Sequence, residues 1–343
     1  MALRMSAMLR SSRDLRGGRA RTLTLKVPPA PRSDPDEPMM AAVAQAQELA
    51  PLQDIVDAPE MTETDGAVIA YESLVEAAYE LFAAAAESRA PNGPVVVAAV
   101  RSAVSQLSAS DALLTETMRR RPEADSLARH SANVAVMAMR LGREIEFDER
   151  RTFALGLCGL THDLGMLDVP DEILESRRLT SKKLQILQQH PLSSERIVRS
   201  FGKAFEWVGK VVVQTHERKD GSGYPKALKE DEIHEFARII GLVDTYEAMA
   251  QPPADRQARV VHNALKEIID LRNSLFGRRL IKALIHIVSI FPLGSLVKLN
   301  NGEIGRVVAT SRLHPTRPTI DLQDEPILYI VDPAIEEGVL GNT

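Results

Sequence analysis

The feature that most constrains this chain is the period of its apolar residues. From about residue 66 to 290 they recur every three or four positions, the spacing of one helix face rather than the alternation of a strand. Leu74, Ala78, Leu81, Phe82 and Ala85 share one such face, and Val97, Val100, Val104 and Leu107 another. Pro122 separates these from a longer series built on Leu127, Val134, Met137 and Leu141, on Ala154, Leu157, Leu160 and Leu164, and on Leu184 and Leu187. Thr180 reads as the N-cap of the helix that runs from Leu184 through Leu187 to His190, with Pro191 at its end. Trp207 to Val212, Ile239 to Val243, Val261 to Ile268 and Leu280 to Val288 continue the pattern. Amphipathic helices in succession can bury their apolar faces only against one another, so the expected fold is mainly α, a helical bundle. An aromatic content of 4% agrees with helices rather than sheets.

Both ends depart from this pattern. Residues 1–60 begin with Arg4, Arg10, Arg13, Arg16, Arg19 and Arg21, with Asp14 the sole acid among them, and continue through Pro28, Pro29, Pro31, Pro35 and Pro38. An acid-poor basic start fits a transit peptide or a disordered tail, and the lack of any periodic apolar face favours the tail. After Pro292, Leu296–Leu299, Asn300-Asn301-Gly302 and Ile304–Ala309 read as strand, turn and strand, with further strands at 319–322 and 327–331. The resulting division is a disordered tail (1–60), a helical N-terminal region (61–120), a helical bundle (121–290) and a small β appendage (291–343).

The formal charge of −5 excludes a globally basic nucleic-acid binder. A single cysteine, Cys158, excludes an internal disulfide framework and reads as core. No run of about 18 apolar residues signals a membrane span. The expectation is a cytoplasmic protein.

The residues that carry chemistry are sparse. His162-Asp163 closes one apolar helix. His130, His190, His216 and Asp244 fall on or beside four other helices. Each alone has an ordinary reading as a packed or capping residue. Together they place one imidazole or carboxylate per helix, the donor set of a transition-metal site in a bundle core. Asp220-Gly221-Ser222-Gly223-Tyr224-Pro225 is, by composition, a sharply turned loop. His234, His262, His286 and His314 stand in no motif; His286 reads as packed or capping.

The order His130, His162-Asp163, His190-Pro191, His216-Glu217, Asp220 to Pro225, Arg238-Ile239 and Asp244 resembles the HD-GYP family of metal-dependent phosphohydrolases across about 120–280. The tail from Phe291 resembles the β segment found after many such domains. The resemblance implies an HD-type bundle that hydrolyses cyclic di-GMP in bacterial signalling. It implies two divalent transition metals, iron or manganese. Carried over by position, His130, His162, Asp163 and Asp244 hold the first metal. Asp163 is the catalytic, bridging carboxylate to a second metal served by His190 and His216. Asp220, Gly221, Gly223, Tyr224 and Pro225 line the substrate cleft or face a signalling partner. Other expected partners are a second copy of the chain, but no nucleic-acid polymer.

The chain departs from the family pattern at several points. Thr215 stands where the family has a histidine, and Met166 where it has a lysine. Ser126 stands where some members place a glutamate, and Glu247-Ala248 where Asp-Ala is usual. The first metal site is intact and the second is eroded. Two readings follow: a phosphodiesterase of weakened activity, or a non-catalytic signalling module that binds metal, nucleotide or a partner protein.

Overall fold

The computed structural model describes residues 63–118, 126–174, 176, 178–250, 264–265, 267–269, 275–288, 296–298, 304–309 and 319–322. The expectations for residues 1–60 and for a strand at 327–331 lie outside these. The described helices are α1 (Glu63–Ala86), α2 (Gly93–Ala109), α3 (Ala112–Met118), α4 (Leu127–Glu144), α5 (Glu149–Thr161), α6 (Asp171–Leu174), α7 (Ser181–Leu187), α8 (His190–Ser200), α9 (Glu206–Val212), α10 (Glu235–Ala250) and α11 (Arg278–Val288).

Their starts follow local chemistry. Ser126 caps α4 by accepting from the Arg129 amide, Asp148 caps α5 through Arg151, and Thr180 caps α7 through Lys183. These side chains satisfy amides that a helix start leaves without intrahelical partners. Helix α4 is buried from Ala128 to Gly142 apart from Arg129. It is the axis of the bundle, with α5, α10, α1, α3 and α11 packed around it. One apolar cluster runs from Ala67 on α1 to Val288 on α11, so the helices of 61–120 share the core of the later ones. Cys158 lies in that core.

His190 opens a helix rather than closing one. Helix α7 ends at Leu187, Gln188 and Gln189 form a turn, and α8 starts at His190 with Pro191 in its first turn. Proline suits that position because the first-turn amide it lacks has no intrahelical partner in any case. The stop signal read at Pro191 is therefore a start signal. His286 is not packed into the core: it is exposed in the last turn of α11, 3.4 Å from Glu144. His234 helps start α10, its Nδ1 accepting from the Phe236 amide.

The appendage contributes an antiparallel sheet of β1 (Leu296–Lys298), β2 (Ile304–Ala309) and β3 (Thr319–Leu322), in the order β1-β2-β3. Leu296 pairs with Arg306 and Gly305 with Leu322, and an irregularity falls between Val307 and Ala309. Ile320 packs against the bundle core.

Candidate metal centre

Six side chains converge in the bundle, His162 and Asp163 from one helix end and the other four from separate elements. His130 lies in the first turn of α4, His162 caps the C-terminus of α5, and Asp163 follows it. His190 opens α8, His216 follows α9, and Asp244 lies within α10. All six are buried. His130 Nε2 is 3.2 Å from Asp244 Oδ1 and 3.8 Å from Asp163 Oδ2. His162 Nε2 is 3.5 Å from Asp163 Oδ1 and 3.8 Å from Asp244 Oδ1. On the other side of Asp163, its Oδ1 is 3.4 Å from His190 Nε2 and 3.7 Å from His216 Nε2, and those two nitrogens are 2.8 Å apart. Two triads of ligand atoms result, His130–His162–Asp163 and Asp163–His190–His216, with Asp163 in both.

The ring orientations follow from chemistry. His162 Nδ1 is 2.8 Å from the Gly159 carbonyl, and His190 Nδ1 is 2.7 Å from the Leu187 carbonyl. A carbonyl can only accept, so Nδ1 carries the proton and Nε2 presents its lone pair to the centre. Outer partners of this kind orient histidines that ligate metals.

The electrostatics point the same way. Burial alone would raise Asp163, but His162, His190 and His216 hold its carboxyl well below the usual range. Burial likewise opposes the ionised Asp244, and His130 and His162 hold it low. Burial disfavours the imidazolium of His130, yet Glu247 and Asp244 raise it well above its ordinary value. His162 is also raised, against burial, chiefly by Asp163. His216 is pushed down to about 4 by burial and by the neighbouring His190, Asp163 counteracting in part.

The arrangement passes a direct test for a cation. His162 Nε2, Asp163 Oδ1, His216 Nδ1 and Asp244 Oδ2 are buried with no hydrogen-bond partner. Buried polar atoms are almost always satisfied, and four exceptions in one cluster mark a place where the donors face something else. Donors each about 2.0–2.2 Å from one ion lie roughly 3.0–3.5 Å apart, and the spacings here, from 2.8 to 3.8 Å, bracket that range. The cluster has the donor set of a divalent metal centre.

The turned loop lies against the second triad. The Tyr224 ring stacks on His216 with centroids 5.0 Å apart and planes 5° from parallel, and meets His190 edge-on at 6.1 Å. Tyr224 is half-buried, and burial raises its phenol well above its ordinary value. Asp220 accepts from the Ser222 amide at 2.9 Å, and Gly221 takes φ +76°, a conformation that glycine adopts without strain. Gly223 has no room for a side chain: a Cβ there would collide with the backbone of Glu217 and Arg218. The Glu217 carboxylate accepts from the amides of Lys226 at 2.6 Å and Leu228 at 2.9 Å, tying both strands of the loop just past Pro225.

Three of the departures have structural roles. Met166 is buried in a small apolar cluster with Val169, Ile173, Leu184 and Leu187, with Tyr224 packed against it. Thr215 is buried, and its hydroxyl donates to the Val212 carbonyl at 2.9 Å, so it caps α9. Ser126 serves as the α4 cap and meets the Tyr79 hydroxyl at 3.0 Å.

The sequence reading did not assign Glu247, Asn133, Tyr71 or Glu217 to the site. Glu247 reaches His130 Nδ1 at 2.5 Å and accepts from Asn133 at 2.9 Å. The available signal was spacing: His130 and Asn133, like Asp244 and Glu247, are three residues apart on a helix and so share a face.

Helices that deliver histidines and aspartates to one buried centre around a His-Asp pair define an HD-type metal-binding bundle. A model described as "HD domain" matches residues 104–280, and one described as "KOW domain associated with HD domain" matches 296–322. The cyclic di-GMP phosphodiesterase PA4108 of Pseudomonas aeruginosa is 32% identical over 182 residues, 52% of this chain and 43% of that protein. The 3'3'-cGAMP-specific phosphodiesterase 1 of Vibrio cholerae is 36% identical over 126 residues, 36% of this chain and 28% of that protein. The chain thus spans less than half the length of either relative. The solved structure of Bd1817, an HDG"Y"P protein from Bdellovibrio bacteriovorus, shares the fold with a TM-score of 0.56 at 17% identity, covering 73% of this chain and 78% of that one. The chain belongs to the HD domain family.

Among the described residues no helix is long and apolar enough to cross a membrane.

Proposed function

We propose that the protein is a metal-dependent phosphodiesterase of cyclic di-GMP acting in bacterial second-messenger signalling. The observation that carries the reading is the pair of buried donor triads sharing Asp163, with unpartnered donors on both sides. In this reading His130, His162, Asp163 and Asp244 hold one divalent ion, and Asp163, His190 and His216 hold a second, iron or manganese in each case. When bound, such ions polarise the phosphodiester and lower the pKa of water for attack on phosphorus.

The protein's own residues set the frame for that chemistry. Asp163 is the catalytic carboxylate, since it faces both ion positions. His162 and His190 are held with Nε2 inward by the Gly159 and Leu187 carbonyls. Asp220, Gly221, Gly223, Tyr224 and Pro225 form the wall beside the second triad, where a guanine base has an aromatic ring and loop amides to meet. The same half-buried loop is the face for a signalling partner, and a homodimer and a cytoplasmic location complete the reading.

A second reading is favoured by Met166 and Thr215. Neither supplies a cation or an imidazole, so a non-catalytic signalling bundle that binds metal, nucleotide or a partner protein is the alternative. Metal analysis of protein prepared anaerobically with iron or manganese, paired with hydrolysis assays on cyclic di-GMP and 3'3'-cGAMP, separates the two. The phosphodiesterase reading expects about two ions per chain and cleavage of cyclic di-GMP in preference to 3'3'-cGAMP. Stoichiometric metal with no turnover of either nucleotide selects the binding module. Protein without stoichiometric metal overturns the phosphodiesterase reading.

A further inference from the structure

His130 differs from His162 and His190 in how its ring is held. His162 and His190 lie at or just past helix C-terminal ends, where carbonyls lack intrahelical partners, and each ring takes the carbonyl three residues back. His130 lies in the first turn of α4, four residues after the Ser126 cap. A helix start leaves amides without partners, not carbonyls. The acceptor for its Nδ1 must therefore come from another helix. It is Glu247 on α10, at 2.5 Å.

Glu247 is itself locked. It is 6% exposed, and a carboxylate so buried requires partners. Its Oε2 faces His130, and its Oε1 accepts from Asn133 Nδ2 at 2.9 Å. Asn133 Oδ1 in turn accepts from the Tyr71 hydroxyl at 2.7 Å. The amide has one workable orientation, because a flipped Asn133 would set its carbonyl oxygen against the Glu247 carboxylate. The chain of bonds begins on α1, in the helical region ahead of the metal-binding helices.

We infer that Glu247 is a positioning residue of the metal centre, fixing His130 with Nε2 directed at Asp163 and Asp244, and that Asn133 and Tyr71 hold Glu247 in place. The inference rests on the metal-site reading above and deepens it. An Asp-to-Glu change at this position is then no erosion of the site. The longer side chain reaches an imidazole and an amide on α4 at once. It also assigns α1 a part in the centre, through a single hydroxyl.

The test uses the full chain loaded with zinc, a diamagnetic probe, and compares wild type with Glu247→Gln, Glu247→Asp and Tyr71→Phe. Zinc affinity is measured by competition with a chromophoric chelator, and the tautomer of His130 by nitrogen–proton correlation NMR of the imidazoles. Wild type is expected to show His130 with its proton on Nδ1. Glu247→Gln keeps the shape but leaves one amide oxygen to serve both His130 and Asn133. It should lower affinity at one of two sites by about 10–100-fold, the range for lost outer partners, and blur the His130 tautomer signal. The His190 signal should not move. Tyr71→Phe should give a smaller loss in the same direction, and Glu247→Asp should restore part of the tautomer signal. Unchanged zinc affinity and an unchanged His130 signal in folded Glu247→Gln and Tyr71→Phe would overturn the inference while leaving the metal reading intact. Wild type that binds no zinc would fail the metal reading first. A loss that appears equally at both sites with the His130 tautomer preserved would assign Glu247 a general packing role and also overturn it.

Discussion

The two halves of the centre are held by different means. On the His130 side, α4 and α10 face each other through side chains: His130 with Asp244 and Glu247, Glu247 with Asn133, and Asn133 with Tyr71. On the His190–His216 side, the constraints are a backbone carbonyl on His190, the stacked Tyr224 ring and the loop tied by Glu217. Thr215 and Met166 add an end cap and an apolar contact there rather than ligands. His130 is thus held by several side-chain partners, whereas His190, like His162, rests on a backbone carbonyl, and the second half adds ring packing. The same imidazole chemistry is robust in one place and sensitive in the other.

The largest expected effect removes what both halves share. Asp163→Ala should lower metal affinity on both sides by at least roughly a hundredfold, beyond the upper end of what losing an outer partner costs. Elemental analysis after dialysis reads this directly, and retention of one full equivalent would show that the halves do not share Asp163.

Gly165→Ala should break the second half selectively. A Cβ at Gly165 would run into the His190 carbonyl and the Ser194 amide, so the short helical turn at 164–168 could no longer lie against α8. Overpacking of this kind costs about 1–3 kcal/mol, and more where backbone must move. Chemical denaturation should show that loss, with His190 and His216 displaced and the His130–Glu247 contact kept. An unchanged midpoint would mean that the turn adapts without strain.

Thr215→His should raise metal occupancy on the second side, because an imidazole would stand beside His216. Met166→Lys alone should destabilise the fold by about 1–3 kcal/mol, since an ammonium would enter the cluster of Val169, Ile173, Leu184 and Leu187. If the pair of changes gives folded protein with two ions and no gain in cyclic di-GMP hydrolysis, those positions do not limit turnover. A Met166→Lys protein as stable as wild type would show that the lysine reaches water past Tyr224.

The smallest effect is on pH. In the metal-free protein Asp and Glu neighbours raise His130 and His162 above their ordinary values, against burial, and so favour their protonated forms. A metal competes with protons at these rings, so its affinity should rise with pH and weaken as pH falls. Calorimetric titration in buffers of different ionisation enthalpy should detect proton release. No release would mean that both rings are already neutral. Raised histidines also stabilise the metal-free fold below their unfolded values, and that contribution fades as pH climbs through the folded ones.

Much of this protein was legible in its residues alone. The apolar period determined a bundle, because helices with one apolar face have only each other to cover it. The strands read on either side of Asn-Asn-Gly after Pro292 matched β1 and β2, which pair antiparallel. The six candidate ligands were readable because a ligand must be a particular residue type, and its place on a helix follows from sequence spacing. His190 was misplaced by a helix end because proline marks a boundary without saying which side the helix lies on. Glu247, Asn133 and Tyr71 were out of reach for another reason. Their bonds join residues 114 and 62 positions apart, and no local pattern encodes which faces of α1, α4 and α10 meet. Sequence determined which chemistry the chain carries; only the packing of the helices decided which carboxylate orients His130, which donors lack partners, and that Met166 and Thr215 are engaged elsewhere.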